Sequence, residues 1–397
     1  MPSTFAWVDL TDKDRQKMME IIRMGRERET RDELGIGTVR DSIANIFFPG
    51  TSTIQTRIKY MLLVPWIYLL HEKKRTPFPE IKAKERKSET DLIKVFLNSD
   101  DQNGVIGKEA GASLQRLPSS IYWAGLSRWG IRLFPGSQEQ YHKYLNSYYS
   151  ALRKQRVSDD EEPVSLVEPN WHPAIPEPPS NFPKEATLKL TEAEAEYLLD
   201  RISITCKDSL LAHLVTQANE EVECAFVWEH PQLADFPAHF RDQIKHAENF
   251  SQIMHGAFLM YNLLLAKGSN LELKYAEWIE EWLQGFRKRL RDFEAWDLNK
   301  FWAFVNTEDA DIPGKTISFV EYWIALMLAK VDSNICEDET CKTLIINREK
   351  EVKRNRARLI NSSAQDNWSG ASGTGRLGFR WHIAKGMIND IHKSLAQ

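Results

Sequence analysis

The sequence predicts a mainly α protein built as two helical lobes joined by a proline-rich, extended strap. Three observations lead there. Apolar residues recur at helical spacing along most of the 397 residues, and the alternation of half-buried strands is nearly absent. Seven prolines, Pro163, Pro169, Pro173, Pro176, Pro178, Pro179 and Pro183, crowd residues 157–186, where they remove too many backbone donors for a helix or a central strand. The length exceeds what one ordinary core supports, so two lobes fit.

The first lobe, residues 1–156, should open with a helix over 11–28. Thr11 is its cap, with acidic residues in the first turn and basic residues in the last. A second helix is expected over 38–47, with Val39, Ile43, Ile46 and Phe47 as its apolar stripe, stopping at Pro49. A third is expected over 52–63, with Ile54, Ile58, Met61 and Leu62 facing inward; Pro65 then kinks it or begins another helix. The strap, 157–186, also holds Val164, Leu166, Val167, Trp171, Ile175 and Phe182. A free tether has no use for these, so the strap should pack some of them along a domain surface. The second lobe, 187–397, begins with LTEAEAEYLLDRI at 190–202, where Thr191 and Glu194 spell a T-x-x-E capping box. Helices follow over 207–228, 237–266, 271–305 and 316–332. The tail, 342–397, is basic.

Hydrophobic content of 42% with 13 Trp argues against global disorder. Four cysteines are too few for a disulfide framework, and the spacing of Cys336 and Cys341 matches no common zinc site. No cofactor or metal is therefore expected, and a reducing, cytoplasmic setting fits. MPSTFAWVDL has no signal-peptide pattern, and the longest apolar run, MLLVPWIYLL at 61–70, is too short to span a bilayer. No membrane association is expected. Charge is unevenly spread: residues 1–156 are net +8, residues 157–240 net −13, and residues 342–397 net +7. Such asymmetry suits a polyanion partner, or basic ends facing the acidic middle, or merely solvated faces of either sign.

A short phrase occurs twice. Phe48-Pro49-Gly50-Thr51-Ser52 is echoed by Phe134-Pro135-Gly136-Ser137, and each serine is followed three residues later by a glutamine, Gln55 and Gln140. Both read as S-x-x-Q boxes that start a helix after a Pro-Gly turn. With the first copy as its turn, 38–63 has the lengths of a helix-turn-helix, in which Gln55, Arg57 and Lys59 could meet bases or phosphates. Ordinary αα packing has the same lengths.

The densest basic mixture lies in the tail. NREKEVKRNRARLINSS, 347–363, reads as a helix with Lys350, Lys353, Arg354, Arg356 and Arg358; AQDNWSGASGTGRLGFRW, 364–381, is a glycine-rich loop with Arg376, Arg380, Trp368 and Trp381. Glycines let a backbone approach phosphate, arginines pair with it and aromatics stack on bases. The loop is not a Walker A motif; its bland reading is a mobile connection. Weaker signals are His239, Asp242 and His246 on one helical face, the pairs Glu272/Lys274 and His71/Lys73 of nuclease-like spelling, and the Trp278, Trp282, Trp302 and Trp323 stripe. Capping or core roles suit all of them better.

The run RDELGIGTVRDSIANIFFPGTSTIQTRIKYMLLVPWIY (31–68), with LTEAEAEYLLDRI and GRLGFRWHIAKGMINDI (375–391), resembles a bacterial family, domain of unknown function 6361, over most of the chain. The resemblance supplies no catalytic motif. It implies a place beside helicases and phospholipase D-like nucleases in bacterial anti-phage gene clusters. The expectation is a non-enzymatic, nucleic-acid-associated subunit of such a system, bound to DNA ahead of RNA and to partner proteins such as a helicase or nuclease. Arg57, Lys59, Lys353, Arg354, Arg356, Arg358, Arg376 and Arg380 are its candidate phosphate contacts. A protein–protein scaffold, or a metal-dependent nuclease, remains the alternative.

Overall fold

A computed structural model describes residues 32–78, 80–157, 167–217, 221–307 and 310–396. The fold is mainly α. Among the described residues there is no strand; one isolated bridge pairs Arg132 with Trp171. The helix expected over 11–28, and Pro163, Val164 and Leu166 of the strap, lie outside the described residues.

The chain divides into two compact units, and not at the proline-rich stretch. Unit I comprises residues 32–43 with Pro231–Phe379; unit II comprises Ala44–His230 with residues 380–396. The first division falls inside helix α1 (Gly37–Phe47). The described part of the strap, residues 167–186, lies within unit II, and the basic tail is shared between the two units.

Unit II contains α2 (Tyr60–Lys73), α3 (Glu80–Leu97), α4 (Pro118–Arg128), α5 (Gln138–Val157), α6 (Glu192–Thr205), α7 (Leu210–Thr216) and the last helix, Trp381–Leu395. Helix α2 is buried through most of its length and packs on α3 and α4. Pro65 sits inside it without ending it. Its aromatic core gathers Tyr68, Trp123, Tyr141 and Trp171 with ring centroids 5.3–6.0 Å apart; the Trp171 pairs and Trp123–Tyr141 meet edge-to-face, which suits ring quadrupoles. The described part of the strap, residues 167–186, packs through its aromatic side chains. Trp171 is buried, Trp66 donates its indole N–H to the Pro176 carbonyl at 2.7 Å, and Phe182 meets the Trp66 ring edge-on. Helix α6 starts at the expected box, with Thr191 and Glu194 bonding each other's backbone. Of the helix expected over 207–228, the described residues form α7 and a 3-10 turn at Val227–Glu229.

The echoed phrase behaves in two ways. At the second copy the box is complete: Ser137 N–H donates to Gln140 Oε1 (2.8 Å), Gln140 N–H donates to Ser137 Oγ (3.3 Å), and α5 follows. At the first copy Ser52 N–H still donates to Gln55 Oε1 (3.0 Å), but the Ser52 hydroxyl has no partner among the described residues, and residues 51–59 form turns. Tertiary partners claim the backbone first. Thr56 N–H donates to Tyr122 Oη (2.9 Å), Thr56 Oγ1 donates to the Gly104 carbonyl (2.6 Å), and Trp129 Nε1 donates to the Pro49 carbonyl (2.8 Å). Gly50 takes φ +85° with the Trp129 ring against its Cα, a place no side chain fits. The helix begins only at Tyr60, so the expected helix over 52–63, and with it the helix-turn-helix, is not formed.

Unit I is built on α8 (Ala238–Ala266), packed lengthwise on α9 (Glu272–Lys288). Gly256 permits the close approach: a Cβ there would lie 2.4 Å from the Trp282 ring. The short helices α10 (Leu290–Glu294) and α11 (Leu298–Val305) follow, then α12 (Gly314–Ala329), α13 (Glu339–Lys353) and α14 (Ser362–Gln365); the last helix, Trp381–Leu395 in unit II, is α15. The tryptophan stripe is only half core: Trp278 and Trp302 are half-buried, and the Trp302 indole donates to Glu321. Trp282 and Trp323 are buried and donate to the Gln252 and Ile253 carbonyls of α8.

Candidate functional site

The basic candidates separate by what holds them. In unit II, Lys59 is 3% exposed and its ammonium meets Glu194 at 2.5 Å, with the Trp66 ring 5.1 Å away. Burial lowers its pKa and Glu194 opposes that fall. Glu194 is also the α6 capping-box carboxylate, so one acid caps a helix and neutralises a buried cation. Arg57 donates to Asp390 and Asp101, each at 2.9 Å, and to the carbonyls of Asn103 and Leu188. Burial works against its charge, but these two carboxylates raise its pKa above the ordinary value. Arg380, at φ +65°, donates to Asn45 Oδ1 (2.7 Å) and the Thr51 carbonyl (2.9 Å). These three cations are ties within unit II. A phosphate reaching Lys59 or Arg57 would have to break an internal ion pair.

In unit I the tail is organised from below. Asp338 caps α13 by accepting from Cys341 N–H at 3.0 Å. Arg348 and Glu349 lie on the buried face. Arg348 donates to the Leu34 and Gly35 carbonyls, to Thr316 Oγ1 and to Glu351. Glu349, with no exposed surface, accepts from Tyr261 Oη (2.7 Å) and from the consecutive backbone N–H groups of Arg358 (2.8 Å) and Leu359 (2.9 Å). Those bonds turn the chain. The basic helix expected over 347–363 ends at Lys353, continues as a 3-10 turn over Arg354–Arg356, and resumes only as α14. Arg354 stands at φ +53°, a conformation that costs a non-glycine residue roughly 1–3 kcal/mol. Asn361 Nδ2 donates to the Asn355 carbonyl (2.8 Å) and closes the turn.

This turn sorts its basic residues. Arg358 points in, to Glu33 (2.9 Å) and Ser372 Oγ (2.9 Å), and Lys353 lies 3.4 Å from Glu33. Lys350, Arg354 and Arg356 point out. All three are exposed, and none makes a salt bridge or side-chain hydrogen bond among the described residues. Ile360, 50% exposed, lies on the same turn.

The glycine-rich loop is neither an open cradle nor a loose connection. Asn262 brackets Ser372, donating to its carbonyl and accepting from its N–H, both at 2.7 Å, and it also accepts from Trp368 Nε1 (3.2 Å). Tyr275 Oη donates to the Gly370 carbonyl (2.7 Å), and the His255 Nε2–H donates to the Thr374 carbonyl (3.1 Å). Burial, with the nearby Arg376 cation, lowers the His255 pKa to about 4, so its ring is neutral at pH 7. Arg376 is half-buried.

The remaining signals have structural roles. His246 accepts from Trp296 Nε1 at 2.8 Å. Glu72 accepts from Tyr141 Oη and from Asn170 Nδ2, and Glu272 accepts from Gly268 N–H. Among the described residues no group of three His, Cys, Asp or Glu side chains is arranged to hold a metal ion.

Sequence reasoning missed a set of buried acids in unit II. Glu89 accepts from Ser119 N–H (2.8 Å) and Oγ–H (2.7 Å), bracing the start of α4, and burial pushes its pKa up to about 7. One turn earlier, Glu85 Oε2 meets His142 Nε2 at 2.6 Å. Their i,i+4 spacing on α3 was visible, but the polar stretch KAKERKSETD looks solvent-facing.

The fold and the site define a mainly α protein with no helix, among the described residues, long and apolar enough to cross a membrane. Residues 2–394 match a family of unknown function, DUF6361, and the chain belongs to it. No curated protein and no solved structure matches.

Proposed function

We propose that this protein is a non-enzymatic, nucleic-acid-associated subunit of a bacterial anti-phage system, and that it holds the phosphate backbone through Lys350, Arg354 and Arg356. One observation carries the reading. These three exposed cations, at the end of α13 and on the turn that follows, have no acidic partner among the described residues, whereas Arg57, Lys59, Lys353 and Arg358 are each bound to a carboxylate. Unneutralised guanidinium groups can pair with phosphate in fork geometry without first breaking an internal ion pair. The defence role rests on the family to which the chain belongs and on the company that the resemblance implies for it. DNA partners rank ahead of RNA, and a helicase or nuclease is the expected protein partner.

The test is a fluorescence-polarisation titration of the full chain against labelled duplex and single-stranded oligonucleotides at low salt. Binding should be present in the wild type and lost in Arg354→Glu/Arg356→Glu. Absence of binding by the wild type to either oligonucleotide overturns the reading. With its native gene neighbours, the same variant should lose plaque protection while still folding.

A further inference from the structure

We propose that the turn from Arg354 to Asn361 engages the minor groove of duplex DNA, with Ile360 as a wedge between base pairs. The inference rests on the nucleic-acid reading above and narrows it to one ligand and one groove. Two features of the turn point this way. Its outward groups are Arg354, Asn355 and Arg356, and arginine and asparagine are among the side chains that read the minor groove's acceptor pattern and its width. Beside them stands Ile360, an aliphatic side chain left half in solvent. Minor-groove proteins insert such side chains to unstack and kink a base step.

Single-stranded binding favours a different surface, with aromatic rings on which bases stack. The next indole along the chain, Trp368, is partly buried and committed to Asn262.

The turn is also stiff enough to wedge. Glu349 holds the N–H groups of Arg358 and Leu359, just before Ile360, and Asn361, just after it, holds the Asn355 carbonyl and caps α14. Ala357, between the two, is buried. Ile360 therefore projects from a base fixed on both sides. An isoleucine side chain on a flexible loop would yield under the load of unstacking; this one is braced against α13. The positive φ of Arg354 turns the chain abruptly out of α13 and opens the face on which the basic groups stand.

The experiment uses the full chain with poly(dA-dT), poly(dG-dC), a duplex carrying 2-aminopurine, and a single strand of the same sequence. The alternating A·T duplex should bind about tenfold tighter than the G·C duplex, whose guanine amino groups crowd the groove. Netropsin, a minor-groove ligand, should displace the protein. The 2-aminopurine fluorescence should rise on binding, vanish as a response in Ile360→Ala and persist in Ile360→Leu, with both variants keeping the salt dependence of the wild type. Equal affinity for the two duplexes with no effect of netropsin, an undiminished 2-aminopurine response in Ile360→Ala, or binding to the single strand alone overturns the inference and leaves the broader reading standing. Absence of binding to every nucleic acid overturns both.

Discussion

Two pairs of basic residues in this chain have the same spacing and opposite fates. Arg57 and Lys59 lie two residues apart in unit II and are enclosed by Asp101, Asp390 and Glu194. Arg354 and Arg356 lie two residues apart in unit I and stand in solvent. The difference teaches that the role of a cation is set by the nearest carboxylate and by the cost of moving the pair out of water, not by local charge density. A buried pair breaks even at best against desolvation, yet it is severely missed when one partner is removed. An exposed cation contributes little to folding and keeps its charge for a ligand.

Breaking the buried side should give the largest effect. Glu194→Ala leaves the Lys59 ammonium buried without a counter-charge and removes the carboxylate half of the α6 capping box, so the protein should lose about 3–5 kcal/mol of stability in chemical denaturation. Lys59→Met/Glu194→Gln should recover most of that loss, because it removes both charges while keeping volume. A loss as large in the double variant would show that the pair acts through something other than its charge.

Next is the pH dependence set by Glu89. Folding raises its pKa from 4.5 to about 7, so the folded chain holds a proton that the unfolded chain gives up. Stability should therefore fall as pH rises from about 4.5 to about 7 and level off above that. The fall attributable to this carboxyl is on the order of 3 kcal/mol. Glu89→Gln keeps an acceptor for Ser119 and should flatten that part of the profile. Thermal melts across this range check it; an unchanged slope would place the burden elsewhere.

The exposed side should respond in the opposite sense. Arg354→Gly relieves the positive φ and should stabilise unit I by about 1 kcal/mol, while weakening nucleic-acid binding. A gain of stability together with a loss of binding is what separates a functional cation from a structural one. Arg356→Ala should change stability by less than about 0.5 kcal/mol.

Much of the fold was legible because local signals agreed with it. Ala238–Ala266 shows its apolar period, and Thr191 with Glu194 marks the start of α6 in sequence as in space. The turn at 51–59 was not legible, since the groups that outbid its helix, Tyr122 Oη and the Gly104 carbonyl, lie 66 and 48 residues from Thr56. The site was half legible. The positive charge of the tail is plain, but the sequence does not say that Asp390 holds Arg57 across 333 residues, or that Glu33 holds Arg358 across 325. Nor does it show where the basic helix stops. That depends on Glu349, one of two acids in the basic stretch, turning inward to take two backbone N–H groups nine and ten residues ahead.

The central claim is that the exposed cations of the α13 turn meet phosphate, and the salt dependence of DNA binding tests it most directly. Each phosphate contact contributes about 0.9 to the slope of log K against log salt concentration on duplex DNA. The wild type should bind with a slope that shrinks by about 2 in Arg354→Ala/Arg356→Ala, while Arg57→Ala leaves the slope of any folded fraction unchanged. An identical slope in wild type and double variant, or a loss of slope in Arg57→Ala instead, would contradict the account.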